Sequence, residues 1–84
     1  MPRYFFDVHD GAHSVDEDGT VLKDIAQARA EAARMAGRVL ADDPHKFWTG
    51  EEWQISVRDE GGLVLFTLMF IAVDAPAVGP ERAS

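Results

Sequence analysis

The stretch from Tyr4 to Gly11, which reads YFFDVHDG, decides the fold of this chain. In an extended segment one face would carry Tyr4, Phe6 and Val8 and the other Phe5, Asp7 and His9. This period-two pattern of aromatic and apolar residues predicts a β-strand. Asp10-Gly11 is a favoured pair for a two-residue type I′ turn, so residues 12–15 are predicted to return as a short second strand. The chain is therefore expected to open with a β-hairpin, followed by an exposed acidic turn at residues 16–19.

A helix is predicted to follow this hairpin. Asp24 suits the N-cap, and Gln27 three residues later completes a capping-box pattern. Asp43-Pro44 ends the segment, because the residue before a proline is driven out of the α region. Between these limits the apolar residues recur every three or four positions, which is one stripe along a helix: Ile25, Ala28, Ala32, Met35, Ala36, Val39 and Leu40. An alanine-rich stripe predicts a helix that lies close against its neighbour.

The second half of the chain predicts another hairpin. Residues 53–58 alternate apolar and polar, 59–62 form a turn, and 63–71 are apolar on both faces. The fold class is thus α+β, with the order β-β-α-β-β and a four-stranded, mainly antiparallel sheet covered by the helix on one face. The first and last predicted strands are the most apolar, so the expected strand order is 2-1-4-3, with polar strands at the edges.

One domain accounts for the whole chain, because 84 residues leave no room for a second core. We assign residues 1–73 to this domain and expect a loose tail over 74–84, where alanine and proline dominate. The segment 45–51 is predicted to be a connecting loop. Its Phe47 and Trp48 are too large to leave in water and are expected to cover one end of the core.

Charge and composition exclude several classes of function. The net charge of −7 disfavours binding to nucleic acid or to anionic lipid, since both need basic residues. The chain has no cysteine, which rules out disulfides and thiol chemistry. Neither a signal-peptide core nor an apolar run of transmembrane length is expected, and the predicted location is the cytoplasm.

The candidate chemical sites are weak. Across a two-residue turn His9 pairs with Ala12, and His13 then lies on the other face, which argues against a shared metal. The acidic turn from Asp16 lacks the glycine and the glutamate that an EF-hand needs at its sixth and twelfth positions. No nucleophile has a recognisable base nearby. We therefore predict no catalytic residue, no cofactor and no metal ligand.

The feature that points most directly to function is a surplus of apolar residues on the last strand. One helix covers only one face of a sheet, so part of this strand must face away from it. The predicted interface comprises Phe5, Leu63, Leu65 and Met69, surrounded by polar neighbours. A homodimer or a protein partner is expected to cover this surface. The alternative is cover from within the chain, by the loop that carries Phe47 and Trp48 or by the tail.

Two blocks of sequence resemble a known family. The first block is Pro2-Arg3-Tyr4-Phe5-Phe6 with Asp10-Gly11, Asp18-Gly19, Leu22 and Asp24, and the second is Val57-Arg58-Asp59-Glu60 with Gly62, Leu65 and Phe70. Together they resemble a family of small bacterial proteins described only as a domain of unknown function, over roughly residues 2–71. The resemblance implies a compact domain that stands alone, and it implies no activity.

Three functions follow as expectations. The first is a non-enzymatic binding or regulatory module that dimerises or docks through the sheet. The second is an acidic protein that neutralises a basic partner, with Asp16, Glu17 and Asp18 at the rim; its helix after a hairpin is similar to that of small antitoxin domains. The third is a metal-dependent enzyme centred on His9.

Overall fold

The computed structural model describes residues 1–48 and 52–76. Five strands and two helices follow one another along the chain: β1 (Arg3–His9), β2 (His13–Ser14), β3 (Thr20–Val21), α1 (Ile25–Asp42), α2 (Pro44–Phe47), β4 (Trp53–Arg58) and β5 (Val64–Phe70). All the strand pairs are antiparallel, and α1 packs on one face of the sheet. The predicted α+β class is confirmed.

The order of the strands differs from the prediction. The sheet runs β2-β1-β4-β5, and β3 also pairs with β1. The two strands of the second hairpin are therefore exchanged relative to the predicted order 2-1-4-3. The half-polar β4 lies in the centre, and the apolar β5 lies at the edge. Apolarity gave the wrong order because β4 buries every second residue fully, whereas β5 leaves much of its apolar surface exposed.

The return strand of the first hairpin is split into two short pieces. Ser14 lies opposite Val8 and Thr20 lies opposite Tyr4, so the returning chain is longer than the part of β1 that it accompanies. The extra length forms a loop at residues 15–19, which we call the acidic loop. It replaces the simple exposed turn that the sequence predicted, and it accounts for the additional strand β3.

Helix α1 begins and ends where its capping residues predict. The Asp24 carboxylate accepts the Gln27 backbone N–H at 3.0 Å, and the Gln27 side chain accepts the Lys23 N–H at 2.7 Å. The first bond satisfies an N–H group that a helix start leaves without a partner, and the second holds the residue before the N-cap against the first turn. The stripe that the helix buries consists of Ala28, Ala32 and Ala36. Because a methyl group is all that these residues place between helix and sheet, α1 lies close to the strands.

The core forms where the buried stripe of α1 meets alternate residues of the two central strands. Its sheet side comprises Tyr4 and Phe6 from β1 and Ile55 and Val57 from β4. Partly buried residues from β5 extend it toward the edge. The registers place Val57 between Phe6 and Phe66, so these three side chains form one row across the helix-covered face.

The connection after α1 contains a short helix rather than the predicted loop. Asp43 caps α2 by accepting the Lys46 N–H at 3.2 Å. The Phe47 ring lies 5.7 Å from the Trp53 ring and 5.9 Å from the Phe70 ring, so it covers one end of the core as expected. Trp48 remains exposed. The predicted tail from residue 74 falls largely on 77–84, which lie outside the described residues.

Among residues 1–48 and 52–76, no helix has the length and apolar character needed to cross a bilayer.

Candidate functional site

The sheet face away from α1, which we call the open face, is mostly polar. Asp7 and Arg58 form an ion pair there, with 2.8 Å between Arg58 Nε and Asp7 Oδ2. The hydroxyl groups of Ser56 and Thr67 are hydrogen-bonded at 3.2 Å. The predicted apolar centre with a polar rim is therefore wrong: because β5 is an edge strand, its apolar residues lie at one margin of the sheet.

A β-bulge decides which residues of β5 reach the open face. Phe66 lies opposite Val57, but Arg58 lies opposite Val64, so Leu65 has no partner in the register. Leu65 is half-buried and packs against the core cluster, whereas Val64 shares the side of Arg58 and is exposed. The two residues thus occupy positions opposite to those expected from simple alternation, and the sequence contains no signal for this bulge.

Phe5 lies on the open face but away from β5. Its ring is covered by the guanidinium of Arg58, whose central carbon is 4.6 Å from the ring centroid. In the strand register Arg58 stands between Phe5 and Val64. Of the predicted interface residues, the structure brings Leu63 and Met69 to one margin, places Leu65 against the core and places Phe5 beneath an arginine.

The exposed apolar residues around β5 form a surface that we call the β5 margin. It comprises Leu63, Val64, Met69 and Ile71, with 65, 55, 50 and 59% of their surface exposed. Residues 61–73 include no charged side chain. Within the described residues, no strand pairs with the outer edge of β5. The candidate site therefore offers apolar side chains together with the backbone groups of an unpaired edge.

The histidines of the first hairpin are closer together than predicted. His9 lies opposite His13, so the turn contains three residues rather than two, and Gly11 has a φ of +95°. The one-residue change in register moves His13 to the same face as His9. Their rings stack with centroids 3.9 Å apart. Even so, the described part of the chain holds no group of three or more His, Cys, Asp or Glu side chains that could bind a metal ion.

The acidic loop is fixed to the sheet by Asp16. One carboxylate oxygen accepts the Phe6 N–H of β1 at 3.1 Å, and the other accepts the N–H groups of Asp18 and Gly19 at 3.1 and 3.0 Å. Partial burial raises the pKa of Asp16, but these three hydrogen bonds outweigh it and hold the pKa below the usual value. The loop is thus a built element of the fold, and Asp16 stays ionised as an acceptor.

Asp7 joins the acidic loop to β4. Its carboxylate accepts the Asp16 N–H at 2.9 Å as well as the Arg58 bonds, and Arg58 also donates to the Asp16 carbonyl oxygen at 2.8 Å. Partial burial raises the pKa of Asp7, yet the hydrogen bonds from Arg58 and Asp16 lower it below the usual value overall. This constellation was missed from sequence because its members lie far apart in the chain.

On the outward face of α1, one carboxylate is shared by two arginines. Glu31 pairs with Arg34 at 3.1 Å and with Arg38 at 3.3 Å. Burial alone would raise the pKa of Glu31. The hydrogen bonds from the two arginines outweigh this effect, so the pKa lies below its usual value. An arginine surface for phosphate binding is not favoured by this arrangement, because two of its guanidinium groups already hold a carboxylate.

The comparisons with known proteins agree with the resemblance noted in the sequence. The family model described as "Domain of unknown function (DUF6894)" matches residues 3–71. No curated protein and no solved structure matches the chain. The matched range covers all five strands and both helices. The chain therefore belongs to the family of the domain of unknown function DUF6894.

Proposed function

We propose that this domain is a cytoplasmic, non-enzymatic binding module that assembles as a homodimer through the β5 margin. The observation that carries the proposal is the position of β5: an uncharged, apolar strand of seven residues lies at the edge of the sheet. An exposed edge of this kind readily pairs with another strand, and proteins normally protect it with charge, proline or cover. Thr67 is the least apolar residue of β5, and neither lysine nor proline interrupts the strand.

A second copy is the occupant that fits this surface. An antiparallel pairing of two β5 strands about a twofold axis at Thr67 sets Phe66 of one copy opposite Leu68 of the other, and both lie on the helix-covered face. Apolar residues would then meet on either side of the Thr67 pair at the axis. The net charge of −7 opposes association of two copies, but no charge of residues 61–73 contributes to that repulsion.

Sedimentation of the full chain over a wide concentration range tests the proposal. Met69→Lys places a charge two residues from the twofold axis of the contact, and Val21→Lys makes the same change in charge at a similarly exposed valine of β3. We expect the wild type and Val21→Lys to dimerise, and Met69→Lys to weaken dimerisation at least about tenfold, because the new charge must be desolvated. A wild type that stays monomeric, or equal weakening by both variants, would refute this function.

A further inference from the structure

A groove of about 470 Å³ lies at the opposite edge of the sheet from β5, between the acidic loop and α1. Phe6 and Val8 of β1 and Met35 of α1 line it with apolar surface, and Val15 adds an exposed apolar side chain. Asp16–Asp18 line the remaining side. Its volume falls within the range of about 300–1,000 Å³ that is usual for binding pockets. The groove thus combines an apolar floor with an acidic rim.

The carboxylates of the rim are not equivalent. Asp16 is committed to the backbone N–H groups of the loop and of β1. Glu17 and Asp18 are exposed, and within residues 1–48 and 52–76 neither carboxylate has an ion pair or a hydrogen bond. Two negative charges are therefore available at the rim.

The neighbouring arginines do not neutralise that rim. Arg3 donates to the carbonyl oxygen of Asp18 at 2.9 Å, and Arg58 donates to the carbonyl oxygen of Asp16. Both cations thus bind backbone oxygens of the loop, and neither is among the residues that line the groove. A cation that enters from the groove side meets Glu17 and Asp18 with no basic side chain in its way.

We propose that this groove binds a basic side chain of a partner protein, presented next to an apolar residue. The aliphatic stem of an arginine packs well on apolar surface while its charged end stays at a polar rim, which is the arrangement that Phe6, Met35 and the two free carboxylates offer. The net charge of −7 favours the approach of a basic partner. The occupant is therefore a basic, partly apolar segment, and its site is separate from the β5 margin.

A capped dipeptide and its neutral counterpart test the chemistry of the groove. Acetyl-leucyl-arginine amide is titrated into ¹⁵N-labelled full-length protein, and acetyl-leucyl-citrulline amide, which has nearly the same shape without the charge, serves as the control ligand. We expect saturable chemical-shift changes at residues 14–18 and at Met35, and roughly threefold to fivefold weaker binding of the citrulline peptide. Equal binding of the two peptides, or no change at these residues, would overturn the proposal.

Paired variants separate the groove from the effect of net charge. Glu17→Gln with Asp18→Asn removes the two free rim carboxylates, and Glu52→Gln with Glu60→Gln removes two exposed carboxylates elsewhere. The first pair is expected to weaken arginine-peptide binding about threefold to fivefold, whereas the second leaves it nearly unchanged. The same loss in both pairs would show attraction by net charge alone and refute the site. Dispersed amide spectra of both variants confirm that the fold is retained, and Met69→Lys should bind the peptide like the wild type.

Discussion

Arg58 of β4 donates from Nε to the Oδ2 atom of Asp7 of β1 over 2.8 Å, and its Nη2 atom donates to the Asp16 carbonyl oxygen at the same distance. One guanidinium thereby joins two central strands and the acidic loop. The same group lies over the ring of Phe5. The hydrogen bond that Arg58 donates to Asp7 raises the pKa of Arg58, so the cation is strongly retained. On the open face this network replaces the apolar contacts that α1 supplies on the other face.

The geometry of the network predicts that a positive charge at position 58 is not sufficient for the full stability of the fold. Arg58→Met should lower the urea midpoint of unfolding, because Asp7 and the Asp16 carbonyl lose their donor. Arg58→Lys should recover only part of the loss, since one ammonium group does not reproduce the planar fork that reaches both acceptors. Urea unfolding of the three proteins gives the ranking wild type, lysine, methionine. A lysine variant as stable as the wild type would show that the fork is unimportant.

Asp16 should contribute more to stability than the acid beside it. In the wild type the two carboxylate oxygens of Asp16 accept three backbone N–H groups, and Asp16→Asn leaves only one oxygen to accept them. We expect this change to lower the free energy of unfolding by about 1–3 kcal/mol. Glu17→Gln is the matched control, because it makes the same chemical change at an exposed carboxylate in the next position. Its effect should stay within about 0.5 kcal/mol. Equal losses in the two variants would contradict the assigned role of Asp16.

The lowered pKa values of Asp7 and Asp16 predict a loss of stability in acid. A carboxylate with a folded pKa below its unfolded pKa stabilises the fold fully above the unfolded value of about 3.9 and loses this contribution as the pH falls through the folded value. The free energy of unfolding should therefore fall as the pH drops from about 5 through the unfolded value and below it. Asp16→Asn should reduce the slope, and Glu17→Gln should leave it closer to that of the wild type.

The sequence predicted the local elements better than their arrangement. The caps of α1 and the alternation in β1 and β4 depend on neighbouring residues, and these elements formed where they were expected. The predicted strand order was wrong because apolar content alone does not decide a strand's place in a sheet: β5 is apolar on both faces and still lies at the edge. The bulge at Leu65 and the loop around Asp16 depend on the exact register within each hairpin, which the alternation of apolar and polar residues does not encode.

The candidate site was predicted in part, for the same reason. Leu63 and Met69 were expected to be exposed, and both are. Phe5 was expected beside them, but its contact with Arg58 joins residues that are far apart in sequence. The histidine pair depended on the length of a turn, and one additional residue in that turn placed His9 opposite His13. The placement of side chains across the sheet therefore could not be predicted from local spacing alone.

The close approach of α1 to the sheet predicts that its buried alanines cannot be enlarged. Ala32 is 1% exposed in the core, and Ala32→Leu should destabilise the fold by about 1–3 kcal/mol through overpacking. Ala30→Leu changes the same helix at an exposed position and should alter stability by no more than about 0.5 kcal/mol. Urea unfolding at neutral pH compares them. If Ala32→Leu were tolerated as well as Ala30→Leu, α1 would not be packed closely against the sheet at its buried alanines.

Substitution of three glycines by alanine separates two costs in the free energy of unfolding, that of an unfavourable backbone conformation and that of a steric clash. Gly37 lies in α1 with open space where a methyl group would stand, so Gly37→Ala should stabilise the fold by about 0.5–1 kcal/mol. Gly62 has a φ of +89° and open space, so Gly62→Ala should cost about 1–2 kcal/mol from the backbone alone.

Gly19 combines both costs. Its φ is +73°, and a methyl group there would lie 2.8 Å from Arg3 Cγ and 2.9 Å from the Phe5 ring. Gly19→Ala should therefore be the most destabilising of the three, since the loop must move away from the side chains that line its inner side. Free energies of unfolding from urea titrations should rank Gly37→Ala above the wild type, then Gly62→Ala, then Gly19→Ala. If Gly19→Ala were no worse than Gly62→Ala, the acidic loop would yield easily, and Arg3 and Phe5 would not hold it against the sheet.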